Sequence, residues 1–100
     1  MDEKLSALVN DIRRLYQDAK IFLFGSRARG DFRQYSVYDL IVVNPDFAKT
    51  PFVNRTGTIW RNSDVIIAAD IFCYTPDEFK KISKTSVILR DALKYAVQLR

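Results

Sequence analysis

The chain has no histidine, a single cysteine, and only three glycines and three prolines among its 100 residues. Without histidine it lacks the commonest general base and the commonest metal ligand. The lone Cys73 excludes an internal disulfide and a cysteine zinc site. A metal would therefore have to be held by oxygen, which selects a hard ion such as magnesium or manganese. The longest apolar run, Val65 to Ala69, is five residues, far too short to span a bilayer. The start, Met1-Asp2-Glu3-Lys4, leads straight into an amphipathic pattern with no signal-peptide core, so the expected location is cytoplasmic. No repeat, linker or low-complexity stretch interrupts the chain. With 48% apolar and 28% charged residues, the composition is that of a globular protein. The length suits one domain, residues 1–100, with a single modest core.

Sixteen basic residues against twelve acidic leave a net charge of +4. That excess suits attraction to phosphates as well as an ordinary solubilised surface. Arg27, Arg29 and Arg33 fall within seven residues of one another. No basic–aromatic stripe accompanies them, so nucleic-acid binding is not favoured.

Leu5, Leu8, Val9, Ile12, Leu15 and Tyr16 recur at helical spacing, which predicts a helix over Lys4 to Tyr16. Lys20 to Phe24 reads as a strand stopped by Gly25, with one helical turn over Ser26 to Arg29. A second strand, Tyr38 to Val43, ends at Asn44-Pro45-Asp46. Thr50-Pro51 predicts a capped short helix over Phe52 to Arg61, and Val65 to Tyr74 a third strand. Thr75-Pro76-Asp77-Glu78 reads as a capping box opening a helix that carries Phe79 and Ile82. A last helix is expected from about Ser86 through Val97. The sum is an α/β (α+β) domain, a small mixed β-sheet flanked by helices. Its exposed sheet edges make self-association or hetero-assembly reasonable. Phe22, Phe24, Phe72 and Phe79 are expected in the core, Cys73 as a small buried apolar side chain, and Trp60 with Phe52 as a satellite cluster.

The chemistry concentrates in Phe22-Leu-Phe-Gly-Ser-Arg-Ala-Arg-Gly30 and Ser36-Val-Tyr-Asp39-Leu-Ile-Val-Val43. A strand running through Gly25-Ser26 into a helical turn offers close backbone approach, free amides and a hydroxyl to a triphosphate. Arg27 and Arg29 would add cations beside it. Asp39 opens an otherwise apolar strand, and Asp70 interrupts another. Aspartate is a poor strand residue and costly to bury. A pairing with Arg27, Arg29 or Arg90 would explain one such residue. Two of them beside a glycine-serine turn point to a carboxylate-bound magnesium holding a nucleotide.

This combination resembles the polymerase-beta-like nucleotidyltransferase superfamily, and most of all its stand-alone minimal members. The family pattern is Gly-Ser, ten residues, then Asp-x-Asp; here Gly25-Ser26 is followed by Arg27 to Ser36. The Arg-Ala-Arg-Gly and Ser-x-x-Asp-Leu surroundings match as well. Asp70 and the helix start after it resemble the third carboxylate strand, and Ile88 to Leu99 resembles the usual last helix. The resemblance implies transfer of a nucleoside monophosphate from ATP or another NTP to a hydroxyl on a partner, with release of pyrophosphate and with Mg2+ or Mn2+ as cofactor. It implies that Gly25, Ser26, Arg27 and Arg29 bind the nucleotide, that Asp39 and Asp70 hold metal, and that Asp70 activates the acceptor. It also implies a helical partner of the HEPN type, with this chain as the antitoxin of a toxin–antitoxin pair.

One position departs from the pattern. The first aspartate of the pair should stand at position 37, where the chain has Val37. Residues two apart on a strand face the same way, so positions 37 and 39 would both serve the site. Valine cannot ligate a metal. Asp31 and Asp64 precede their strands, and the hydroxyls of Tyr35 and Ser36 are weaker ligands than a carboxylate. The alternative to an enzyme is therefore a degenerate relative that binds a nucleotide weakly or only docks on its helical partner.

Overall fold

The computed structural model of the chain describes residues 2–25 and 37–100. Helix α1 spans Glu3–Leu15 and buries Leu5, Leu8, Val9 and Ile12, the stripe expected from the spacing. Asp2 caps it by accepting from the Lys4 amide at 2.7 Å. The other Asp2 carboxylate oxygen accepts from the Tyr38 hydroxyl at 3.1 Å, which ties the start of α1 to the start of the second strand.

Strands β1 (Lys20–Phe24), β2 (Tyr38–Val43), β3 (Ala69–Tyr74) and β4 (Val97–Gln98) form one sheet in the order β3-β2-β1-β4. The β1–β2 and β1–β4 pairs are antiparallel, and β2–β3 is parallel. A parallel pair needs a crossover. Here a 3₁₀ helix, Pro45–Lys49, and helix α2, Phe52–Arg61, supply it. Helices α3 (Pro76–Thr85) and α4 (Val87–Leu93) follow β3.

Alternation along the strands splits the sheet into two faces. Ile21, Leu23, Leu40, Val42, Ile71 and Cys73 turn to the main core, where they meet α1, Phe47 and Ile59. Phe22, Phe24, Asp39, Ile41, Val43, Asp70 and Phe72 share the other face by the same alternation. On that face Phe79 of α3 stacks on Phe22 at 5.7 Å between ring centres, and Ile41 is fully covered.

The helix start at Thr75 forms as expected. Thr75 Oγ1 accepts from the Glu78 amide at 3.2 Å, and Glu78 Oε1 accepts from the Thr75 amide at 2.8 Å. Cys73 is buried, and burial pushes its thiol up to about 11, so it is inert packing. Trp60 packs against the core, whereas Phe52 is exposed beside Tyr74.

Four expectations are corrected. Pro51, not Thr50, occupies the cap position of α2, and Thr50 instead closes the 3₁₀ helix through its amide to Phe47 O. The third strand begins at Ala69 rather than Val65. The register sets Ala69 opposite Tyr38, the first residue of β2, so residues 65–68 have no β2 strand residue beside them. The last helix stops at Leu93, and Val97–Gln98 joins the sheet, because β1 offers backbone groups that Leu99 and Arg100 satisfy: Leu99 N–H donates to Ile21 O at 2.7 Å, and Ile21 N–H to Arg100 O at 2.9 Å. None of the four phenylalanines expected in the core belongs to it: Phe22, Phe24 and Phe79 are half-buried and Phe72 is 39% exposed, because they sit on the less covered face of the sheet.

A buried arginine was not anticipated. Arg55 of α2 is 5% exposed, under the rings of Phe47 and Phe52. It donates to Thr50 O, to Cys73 O and to Glu78, the last at 2.5 Å. One guanidinium thus joins α2, the end of β3 and the first turn of α3. Nothing local in the sequence separates it from Arg61 on the same helix, which is exposed.

Candidate active site

The sheet register creates the site. Phe24 stands opposite Asp39, so the residue after it, Gly25, leaves β1 beside that carboxylate. Gly25 has φ +76°, a conformation in which a side chain is strained. A Cβ at this position would lie 2.5 Å from Asp39 Oδ2. Both facts demand glycine, one for the turn and one for the space. Replacing Gly25 with alanine is expected to destabilise the protein by at least about 1–2 kcal/mol from the backbone alone and to push the Asp39 carboxylate aside; denaturant unfolding of the variant measures the first effect.

Asp39 is directly opposite Asp70 across the parallel β2–β3 pair, on strands about 4.8 Å apart. Asp39 is half-buried and Asp70 is exposed. Asp70 is the second residue of its strand, not a mid-strand residue, as Asp39 is of its own. Burial, and then the charge of Asp70, hold the Asp39 carboxyl above its ordinary value. Two like charges in this arrangement favour a cation between them.

The structure thus brings Gly25, Asp39 and Asp70 together. Ser26, Arg27 and Arg29, the other expected nucleotide contacts, lie outside the described residues, as do the expected turn over Ser26 to Arg29 and the substitute donors Asp31, Tyr35 and Ser36. Val37 is exposed, immediately ahead of β2 and two residues before Asp39. Asp64 is exposed too. Among the described residues no group of three or more His, Cys, Asp or Glu side chains could hold a metal ion. Among the described residues the donor set at this end of the sheet is two carboxylates, which fits one divalent cation that completes its shell with ligand oxygens and water. It does not supply the third carboxylate that the two-ion arrangement would use.

A cavity of about 460 Å³, lined by Asp18, Lys20, Phe22, Val43, Pro45, Pro76 and Phe79, lies at the opposite ends of β1 and β2 and contains none of these site residues.

One strand thus ends at a glycine at positive φ, and in-register acids stand on the next two. The chain belongs to the nucleotidyltransferase domain family, whose model it matches over residues 5–100. Its fold is similar to the crystal structure of a protein from Sulfolobus solfataricus provisionally assigned as a nucleotidyltransferase. That likeness has a TM-score of 0.68, covers 96% of this chain and 76% of the other, and holds at 18% sequence identity. No curated protein matches the chain in sequence. Among the described residues no helix is long and apolar enough to cross a membrane.

Proposed function

We propose that the protein binds a nucleoside triphosphate, ATP or another, and transfers its nucleoside monophosphate to a hydroxyl on a partner molecule. The family supports nucleotidyl transfer in general. The observation that carries the finer reading is the in-register Asp39–Asp70 pair, with Gly25 at positive φ close against Asp39.

Asp39 and Asp70 would hold Mg2+ or Mn2+, which when bound neutralises charge on the phosphate oxygens. The Gly25 backbone lies where it can approach the triphosphate, with Ser26, Arg27 and Arg29 as the expected further contacts. Asp70, the more exposed acid, would receive the proton of the acceptor hydroxyl. The acceptor oxygen forms a bond to the α-phosphorus, the bond from that phosphorus to the bridging oxygen breaks, and pyrophosphate leaves with the electron pair.

Val37 favours a second reading: a degenerate, antitoxin-like module that binds a nucleotide or docks on a helical HEPN-type protein without turnover. The two are separated by Val37→Asp. Wild type and variant are incubated with the helical partner, Mg2+ and labelled ATP, and pyrophosphate and labelled acceptor are measured. Disturbing even an outer-shell partner of a metal costs ~10–100-fold, so restoring a direct ligand is expected to raise turnover at least ~10-fold. Turnover confined to the variant supports the degenerate reading. Equal turnover in both shows that position 37 is not a needed ligand.

A further inference from the structure

The carboxylates do not stand alone on their face of the sheet. Phe72 follows Asp70 by two residues on β3, so its ring projects to the same side about 6.6 Å along the strand. Phe24, opposite Asp39 on β1, reaches toward it across β2, and the two rings lie 6.0 Å apart and tilted by 55°. The residue of β2 between them is Ile41, which is 1% exposed. Yet Phe72 remains 39% exposed. What sets Phe72 apart from the other exposed apolar side chains is its place: an accessible aromatic ring on the same face of the same strand as Asp70, two residues along.

We propose that Phe72, with Phe24 tilted against it, is the platform on which the nucleobase of the bound triphosphate stacks. This deepens the proposed function and rests on its placement of the triphosphate at Gly25, Asp39 and Asp70. The strand order sets the direction. Gly25 is at the end of β1, Asp39 on β2, and Asp70 with Phe72 on the edge strand β3. A triphosphate tail at the β1 turn and an α-phosphate at the two acids leave the nucleoside to extend toward β3, where Phe72 offers the aromatic face. Stacking of this kind is tolerant of sequence, because every base has a π-face. The platform therefore predicts modest selectivity among the four bases and a clear preference for a nucleotide over its phosphate chain alone.

The test measures binding of ATP and of inorganic triphosphate, each with Mn2+, to wild type, Phe72→Ala and Phe72→Leu. Leucine keeps the apolar cover over Ile41 and removes the π-face. Base–aromatic stacking is commonly worth about 5- to 100-fold in affinity. The expected result is a loss in that range for ATP in Phe72→Ala, a partial loss in Phe72→Leu, and unchanged triphosphate binding in both. Equal weakening of ATP and triphosphate overturns the proposal, since the ring would then only support the acids. Unchanged ATP binding overturns it as well. If wild type binds neither ligand, the placement of the triphosphate itself fails, and the platform with it. Thermal unfolding of both variants confirms that each is folded at the temperature of the assay.

Discussion

Asp39→Asn is expected to cost at least ~10–100-fold in affinity for Mn2+ with ATP while leaving the ligand-free protein as stable as wild type or more so. The lower limit is the loss seen when a mere outer-shell partner of a metal is disturbed. The stability half follows from the direction of the pKa. Burial and the charge of Asp70 raise the Asp39 carboxyl above its ordinary value of 3.8. A group raised in the folded state contributes stability that is fully present below its unfolded value and is lost as pH rises through its folded value. At neutral pH wild-type Asp39 is ionised against this preference, and asparagine removes the cost. Thermal unfolding from about pH 3.5 upward, without divalent ions, should show the stability difference between the two shifting in favour of the variant as pH rises. Adding Mn2+ and ATP should then stabilise wild type and leave the variant nearly unmoved. A variant that is both less stable and unchanged in ligand binding would remove Asp39 from the site.

Arg55→Ala is expected to be the most damaging single change outside the site. Truncating a buried side chain that satisfies two carbonyls and packs under two rings costs about 3–5 kcal/mol in sum, from the unsatisfied groups and the space left behind. Here the arginine satisfies Thr50 O and Cys73 O and packs against Phe47 and Phe52. In a domain of this size that loss lowers Tm by roughly 15–30 °C. Glu78→Gln keeps an acceptor for the guanidinium and the two carbonyl bonds but leaves the buried Arg55 charge without its counter-ion, so it should cost less than Arg55→Ala, about 1–3 kcal/mol. The Arg55 hydrogen bond, and then the Thr75 amide, hold the Glu78 carboxyl below its ordinary value of 4.5. That contribution is present above pH 4.5 and fades as pH falls through the depressed value. Wild type should therefore lose stability in acid by this route, and Glu78→Gln should lose less. Urea unfolding at pH 7 and pH 3 measures both effects. If Arg55→Ala unfolds at the urea concentration of wild type, the guanidinium does not hold the three elements together.

Local physics made part of this molecule readable. The stripe of α1, the strands Lys20–Phe24 and Tyr38–Val43, and the Thr75–Glu78 capping box depend on residues close to one another in the chain, and all four formed where expected. Gly25 and the two aspartates stood out because each is a residue type that its surroundings disfavour unless a turn or a ligand requires it. Val97–Gln98 was not legible, because its local spacing suits a helix and only the open edge of β1, more than seventy residues earlier, draws it into the sheet. Arg55 was not legible for the same reason: its three partners are a carbonyl five residues back, a carbonyl eighteen residues on and a carboxylate twenty-three residues on.

The amino-acid sequence by itself thus determined the kinds of element, the residue types able to bind a charged ligand, and the absence of histidine and cysteine chemistry. Which side chains meet was decided only by the tertiary structure. The parallel register of β2 and β3 sets Asp39 against Asp70, the antiparallel register of β1 and β2 brings Gly25 to Asp39, and both place Phe72 on the same face. Register is a property of paired strands, fixed by which faces the whole core must bury, so no segment read alone contains it.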